Sequence, residues 1–362
     1  MKKEFGGKIT KKIKVELSQS PNWKKKRFRN LVETKMEINL FNLPHLLSQQ
    51  FLKINGRFPS QSLPVLKFDS TRFLNSNNTS NFIWYGHSTV LLNIHGTIIF
   101  IDPMMSFNAS PVASFSIKRF SDDILDVLDE LPTIDLLLFS HDHYDHLDFE
   151  SIKKLIDKVK NYWVPLGVKR HLIKWNVSSE KIKEFDWWGQ CIFNCIEFTF
   201  TPSRHSGGRR IIDKDKSLWG GWSIKSSKET FYFSGDGGYG HHFEEIGDKL
   251  GPFDFGFIEC GQYNKLWSQI HMFPHEAVQA ALDVKVKTVM PVHWAGFSLS
   301  LHHWKSPVKK FIKYAEERGC EWTVPALGDI VSLKDFIVKN NSFYLVQEYV
   351  EGQNLQEYIQ NV

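Results

Sequence analysis

Sulfur is scarce in this chain and long apolar runs are missing. Its four cysteines, Cys191, Cys195, Cys260 and Cys320, form no C-x-x-C pair and are too irregularly spaced for a disulfide framework. A reducing compartment follows as the expectation. No stretch of about eighteen apolar residues exists to span a bilayer. The start, MKKEFGGKITKKIKVEL, lacks the apolar core of a secretory signal, so the expected location is cytoplasmic. No repeat with a period of about 20 to 50 residues and no low-complexity tract is present, which removes solenoids and propellers. Charged residues at 23% and hydrophobic residues at 42% exclude a disordered or collagenous chain.

Aromatic rings and histidine are abundant: 29 Phe and 12 Trp supply a bulky core, and 15 His are the first chemical hint. Charge is uneven. Residues 1–30 hold eleven Lys and Arg against Glu4 and Glu16, a net +9, which leaves −4 on the rest of a chain whose total is +5. A basic arm on a mildly acidic body suits contact with an anionic membrane surface or another polyanion, and a solvated arm is the plain alternative. No aromatic-plus-basic module for specific nucleic-acid binding is recognisable.

From Asn81 onward the texture turns to short apolar runs of strand type: FIWYG, VLLNI, TIIFID, IDLLLFS, CIEFTFTPS, FYFSGD, FGFIEC and TVMPVHW. Helix-like stretches lie between them. DFESIKKLIDKVK opens with Asp148 as N-cap and sets Ile152, Leu155, Ile156 and Val159 on one face, while SPVKKFIKYAEERG starts at Ser-Pro and stops at Gly319. Strands in two batches interleaved with helices predict a layered α/β unit over residues 81–333. Residues 1–80 read as a basic arm and an extension wrapping that unit, and residues 334–362 as a separate tail.

The segment LLLFSHDHYDHLD places His141, His143, Asp145 and His146 directly after an apolar strand. In a chain leaving a strand, positions two apart face one point, while Asp145 and His146 face a second point nearby. Such a pair of points suits two cations about 3.5–4 Å apart. FTFTPSRH, FYFSGD and VMPVHW deliver His205, Asp236 and His293 after other strands, and strand ends converge when the strands share a sheet. Imidazole and carboxylate without thiolate point to zinc, with manganese or iron as alternatives.

The HDHYDH signature, the later His, Asp and His, and the runs WYGHSTVLLNIHGTIIFIDPMMS, FYFSGDGGYG and PVHWAGF resemble the metallo-β-lactamase superfamily. Within it the order of motifs is most similar to N-acyl-phosphatidylethanolamine-hydrolysing phospholipase D and its bacterial relatives, over roughly residues 20 to 333. The resemblance implies a four-layer αββα sandwich with two divalent metal ions at its rim. It implies that His141, His143 and His205 hold one ion, that Asp145, His146 and His293 hold the other, and that Asp236 bridges them.

Two such cations lower the pKa of a shared water towards about 7, so a bridging hydroxide would attack a phosphodiester without a protein base. Asp145, Asp236 and His271 are the residues assigned to catalysis. The histidine matching His271 in the phospholipase group lies in the substrate site, which makes His271 the candidate acid for the leaving oxygen and a substrate contact. Tyr144 is implied to line the same site. The expected substrate is a phospholipid cleaved in the phospholipase D manner. A lactone or other ester hydrolase is the alternative enzyme, and a non-enzymatic metal-binding or membrane-adaptor protein the alternative class.

Other residues take plainer readings. His87 and Asp102 are expected to hold turns or ligands rather than to bind metal, Gly235, Gly237 and Gly238 to permit a tight turn, and His302 and His303 to be exposed. His241 and His242 read first as ordinary residues, with a place at the edge of the site as the alternative, and residues 104–120 as packed chain, with a lid as the alternative. The tail NNSFYLVQEYVEGQNLQEYI resembles a protein-kinase strand and hinge. It comes without a Gly-rich loop, H-R-D or D-F-G, so no kinase activity is expected.

Overall fold

A computed structural model describes residues 3–37, 56–75, 79–110 and 116–333. The kinase-like tail and residues 38–55 lie outside the described residues. A short hairpin, β1 (Trp23–Lys24) and β2 (Arg27–Phe28), belongs to the basic arm. Next come β3 (Asn81–Trp84), β4 (Val90–Ile94), β5 (Thr97–Ile101), β6 (Ile134–Leu138), β7 (Val159–Pro165) and β8 (Ile182–Phe185). They are followed by β9 (Gln190–Phe193), β10 (Ile196–Thr201), β11 (Gly221–Lys225), β12 (Thr230–Phe233), β13 (Phe253–Glu259) and β14 (Val286–Val292). The last two are β15 (Glu321–Trp322) and β16 (Ile330–Ser332).

These strands form two seven-stranded sheets. The first runs β16-β3-β4-β5-β6-β7-β8 and the second β15-β14-β13-β12-β11-β10-β9. Strand β3 is buried along its whole length because both of its faces are covered. Phe82 and Trp84 point into the layer between the sheets, where Phe82 meets Phe255 and Phe257 at 5.0 and 5.1 Å. Ile83 and Tyr85 point the other way, onto the layer that holds Ile152, Leu155 and Leu172. Those last three come from helices Phe149–Leu155 and Lys169–Lys174. Helices His242–Lys249, Pro274–Asp283 and Ser306–Glu317 pack Phe243, Ala277, Val278 and Phe311 against the second sheet. The result is the four-layer αββα sandwich.

Local signals set several boundaries. Asp148 does cap its helix, accepting from Ser151 N–H at 3.0 Å. That helix stops at Leu155, however, and Val159 opens β7 instead of extending the helical face. Pairing of Val159 with Ile134, and Lys158 Nζ donating to the carbonyls of Leu128, Asp129 and Leu131, favour the strand over another helical turn. Helix Ser306–Glu317 ends as expected, with Gly319 at φ 64°.

Residues 3–37 are bound to the sandwich rather than solvated throughout. Trp175 Nε1 donates to the Lys3 carbonyl at 2.8 Å, and Arg209 donates to the Glu4 carbonyl at 2.6 and 2.9 Å. In the stretch from 104 to 120, Met104 and Met105 are buried. Phe120 N–H bonds Gly296 O at 2.9 Å, so the described part is packed chain; residues 111–115 lie outside the described residues.

Candidate metal centre

Each functional side chain comes from the chain that leaves a strand. Strands β5 and β6 are parallel, so Asp102 and the His141–His146 run leave the same edge of the first sheet. In the second sheet β12, β13 and β14 are parallel, and β10 regains their direction through two antiparallel steps across β11. The ends of β10, β12, β13 and β14 therefore open on one rim, where His205, Asp236, Glu259 and His293 sit.

Three imidazoles make the first group. His141 Nε2 lies 3.0 Å from His143 Nδ1, and His205 Nε2 lies 3.2 Å from the same atom. Outer contacts decide which nitrogen faces inward. Ser140 Oγ is 2.9 Å from His141 Nδ1, and the Ile270 carbonyl accepts from His205 Nδ1 at 2.9 Å. A nitrogen donating to a carbonyl carries its proton there, so neutral His205 turns a lone pair inward at Nε2. Burial, with His146 and His143 nearby, holds the His141 pKa well below the usual imidazole value; burial, with His143 and His271, does the same for His205. Neutral rings are the metal-binding form.

The second group is Asp145, His146 and His293, backed by His87, with ligand atoms all within 4.8 Å of one another. Asp102 Oδ2 accepts from His146 Nδ1 at 2.7 Å, which turns His146 Nε2 to within 3.1 Å of Asp236 Oδ2 and 3.5 Å of Asp145 Oδ2. Asp102 also accepts from Ser140 N–H at 2.8 Å, so one carboxylate steadies both groups. His87 Nε2 is 2.8 Å from Asp145 Oδ2. Asp102 and His87 thus each contact a candidate ligand. Burial alone would raise the Asp145 pKa, yet His146 and His87 hold it well below the carboxylate range. Burial likewise opposes charge on His146, but Asp236, Asp145 and Asp102 outweigh it and keep that ring's pKa well above its ordinary value.

Asp236 stands between the groups. Its Oδ2 is 3.1 Å from His146, 3.7 Å from His141 and 3.9 Å from His205, and its Oδ1 is 3.2 Å from His293 Nδ1. Among the described residues, Asp236 Oδ1 and His293 Nε2 are buried without a hydrogen-bond partner. Each such orphan costs about 1–3 kcal/mol, and inward lone pairs facing a carboxylate repel. Positive ions answer both problems, and an imidazole–carboxylate donor set fits divalent metals. Gly235, at φ 60°, allows the turn: a Cβ there would lie 2.3 Å from the Gly220 carbonyl oxygen.

His271 is brought to the same rim, its ring 5.2 Å from His293 and 5.0 Å from His205. Beside it lies Glu259, which the sequence reading missed. Burial, then Asp236, push the Glu259 pKa well above the carboxylate range. Its one signal was an acid closing the buried end of the strand FDFGFIE, whose other acid, Asp254, is exposed near its start. Asn30, also missed, left no signal at all. Its side chain donates to the His205 carbonyl at 2.8 Å and accepts from the His205 N–H at 3.0 Å, tying the arm to a candidate ligand.

Tyr144 sits one residue from the cluster, but its hydroxyl donates to the Arg209 carbonyl at 2.5 Å and its ring lies under the Arg209 guanidinium at 4.0 Å. His241 is exposed and paired with Glu244 at 2.8 Å, whereas His242 is buried against Phe243. His303 is exposed as expected. His302 is half-buried, its ring stacked on Tyr263 at 4.5 Å, because the loop folds back over that aromatic.

Converging imidazoles and carboxylates on the rim of a two-sheet sandwich define the class, a metal-dependent hydrolase. Residues 97–294 match the family described as the Beta-lactamase superfamily domain, and the chain belongs to the metallo-β-lactamase superfamily. An uncharacterized protein of Mycobacterium tuberculosis is 33% identical over 329 residues, covering 88% of this chain and 86% of that protein. N-acyl-phosphatidylethanolamine-hydrolyzing phospholipase D 1 of Caenorhabditis elegans is 31% identical over 264 residues, covering 70% of this chain and 74% of that protein. Among solved structures, Igni18, a metallo hydrolase of Ignicoccus hospitalis, shares the fold over 70% of this chain and 98% of its own, with TM-score 0.56 and 19% identity. Among the described residues no helix is long and apolar enough to cross a membrane.

Proposed function

We propose that the protein is a dinuclear phosphodiesterase that cleaves a phospholipid of the N-acyl-phosphatidylethanolamine kind in the phospholipase D manner. The observation that carries this reading is the position of Asp236 between two groups of candidate ligands. His141, His143 and His205 would hold one ion, Asp145, His146 and His293 the other, with Asp236 shared. When bound, two such ions supply a water of lowered pKa and neutralise charge on the phosphate. The chain's own groups fix this chemistry in place: Asp102 and the Ile270 carbonyl select the inward nitrogens of His146 and His205. Zinc suits the donor set, with manganese or iron as the other candidates.

The similarity to the Caenorhabditis elegans phospholipase supports the lipid substrate. So does the surface of the basic arm: Lys24, Lys25, Lys26 and Arg27 are exposed near Leu31 and Val32, which are 56% and 53% exposed. Cations beside uncovered apolar side chains suit peripheral contact with an anionic membrane. The test is metal analysis of the purified protein together with turnover of an N-acyl-phosphatidylethanolamine in anionic vesicles, bis(p-nitrophenyl) phosphate and a simple lactone. Two ions per chain with preferred turnover of the lipid is the expected result. Turnover of the lactone alone would replace the phosphodiesterase reading.

A further inference from the structure

Glu259 ends β13 with a carboxylate wholly removed from solvent, on the rim that carries the candidate ligands. It lies outside the two groups of candidate ligands assigned above, although it, His271 and His293 also bring ligand atoms within 4.8 Å of one another. Its Oε1 accepts from Met272 N–H at 3.1 Å and lies 3.0 Å from His271 Nδ1, while its Oε2 has no hydrogen-bond partner. The His271 ring is parallel to His293, within 6°, and edge-on to His205. One of its nitrogens is within 4.8 Å of ligand atoms of His205 and Asp236. With Nδ1 committed to Glu259, Nε2 is the nitrogen left to act. The side chain of His271 is 14% exposed, so a substrate entering at the rim reaches it. An imidazole has two ring flips, and a fixed carboxyl group on Nδ1 selects one of them and leaves Nε2 facing the rim with its proton.

We propose that Glu259 is the positioning residue of His271, and that the pair delivers the Nε2 proton of His271 to the oxygen leaving phosphorus, an assignment that rests on the phosphodiesterase reading above. The oxygen of water forms the new bond to phosphorus as the ester P–O bond breaks. The leaving oxygen keeps the electron pair of that bond and takes the Nε2 proton. The pair starts with a second proton in the Glu259–Nδ1 contact, and that proton settles on Nδ1 as Nε2 loses its own, so the ring ends neutral and Glu259 ends as the carboxylate. The attacking water gives a proton to solvent, and solvent returns one to Nε2.

A leaving group that needs no proton separates this role from a structural one. The zinc-loaded protein, Glu259→Gln and His271→Gln are compared on bis(p-nitrophenyl) phosphate, whose leaving p-nitrophenolate is stable unprotonated, and on an N-acyl-phosphatidylethanolamine, whose leaving alkoxide is not. Both variants are expected to lose about 10²–10⁴-fold in kcat on the lipid. The loss on the aryl ester is expected to be at least tenfold smaller, with KM on the lipid little changed. Metal content should stay at the wild-type value. In ¹H and ¹⁵N spectra of the imidazoles, the Nδ1–H signal assigned by its absence in His271→Gln should also vanish in Glu259→Gln. Equal losses on the two esters, or loss of metal in Glu259→Gln, would overturn the proposal and make Glu259 a ligand or a packing group. Should Glu259→Gln fail to fold, His271→Gln alone carries the leaving-group comparison. A wild-type protein that cleaves neither phosphodiester sinks the phosphodiesterase reading and the proton delivery with it, and the Nδ1–H signal then decides by itself whether Glu259 sets the ring orientation.

Discussion

Two sets of buried imidazoles invite comparison. His141, His205 and His293 crowd the rim, and His171 and His242 lie elsewhere, yet in all five burial pulls the pKa below the ordinary imidazole value. Burial and a depressed pKa are therefore common to both sets and do not mark a site. What differs is company. Each rim imidazole has a second ring and the Asp236 carboxylate within about 4 Å, while among the described residues His242 Nε2 has no hydrogen-bond partner and His171 Nε2 meets Asp142 at 3.3 Å. His242 and His171 each leave one buried nitrogen without a hydrogen-bond partner among the described residues, but neither ring packs against a second imidazole there. Several imidazoles gathered around one carboxylate are the arrangement that a divalent cation binds.

Removing the shared carboxylate should break the rim set most severely. Asp236→Asn is expected to drop the bound metal below two per chain and to lower hydrolysis by more than about 100-fold, beyond the range for residues that merely orient ligands. Elemental analysis and turnover on the same preparation check this. A variant with two ions and full activity would show that the bridging position is wrong.

Asp102→Asn should give the next largest effect and should divide the rim set. Asp102 bonds His146 directly and reaches His141 only through Ser140, so the ion beside His146 should weaken by about 10–100-fold and the other by less. Competition with a chelator of graded affinity would show one step moving. Two steps moving together would mean that Asp102 steadies the whole rim.

The convergence of candidate ligands at the rim was legible in the sequence because those residues follow strands. HDHYDH, SRH, SGD and VHW each leave an apolar run, and parallel strands carry such ends to one edge. Glu259 closes a strand in the same way, but a lone acid has no spacing pattern to report. Asn30 was invisible because its contact with His205 spans 175 residues, and such pairings depend on tertiary packing alone. Val159 misled for a local reason: Ile152, Leu155, Ile156 and Val159 satisfy helical spacing, and only pairing with Ile134 draws Val159 into a strand. His171 and His242 could not be told from ligands by type. Their isolation is a fact of three dimensions.

The smallest effect tests the solitary set. His242 is buried with its pKa lowered to about 3, chiefly by burial and then by Arg204. In the unfolded chain the same ring titrates at the ordinary value of 6.5. Below that pH the unfolded state binds a proton that the native state refuses, so the stability His242 contributes is fully present above pH 6.5 and falls as pH drops towards about 3. The loss runs at about 1.4 kcal/mol per pH unit. His242→Leu should remove this term. It should cost little near neutral pH, since an unpartnered polar atom is replaced by an apolar one. Towards pH 4.5 it should gain about 2–3 kcal/mol on the wild-type protein. Urea unfolding of metal-free protein at several pH values measures the difference, because acid losses from the rim are common to both chains and cancel. If the two chains lose stability in parallel on acidification, His242 is already charged or solvated in the native state, and the contrast between solitary and gathered imidazoles loses its simpler member.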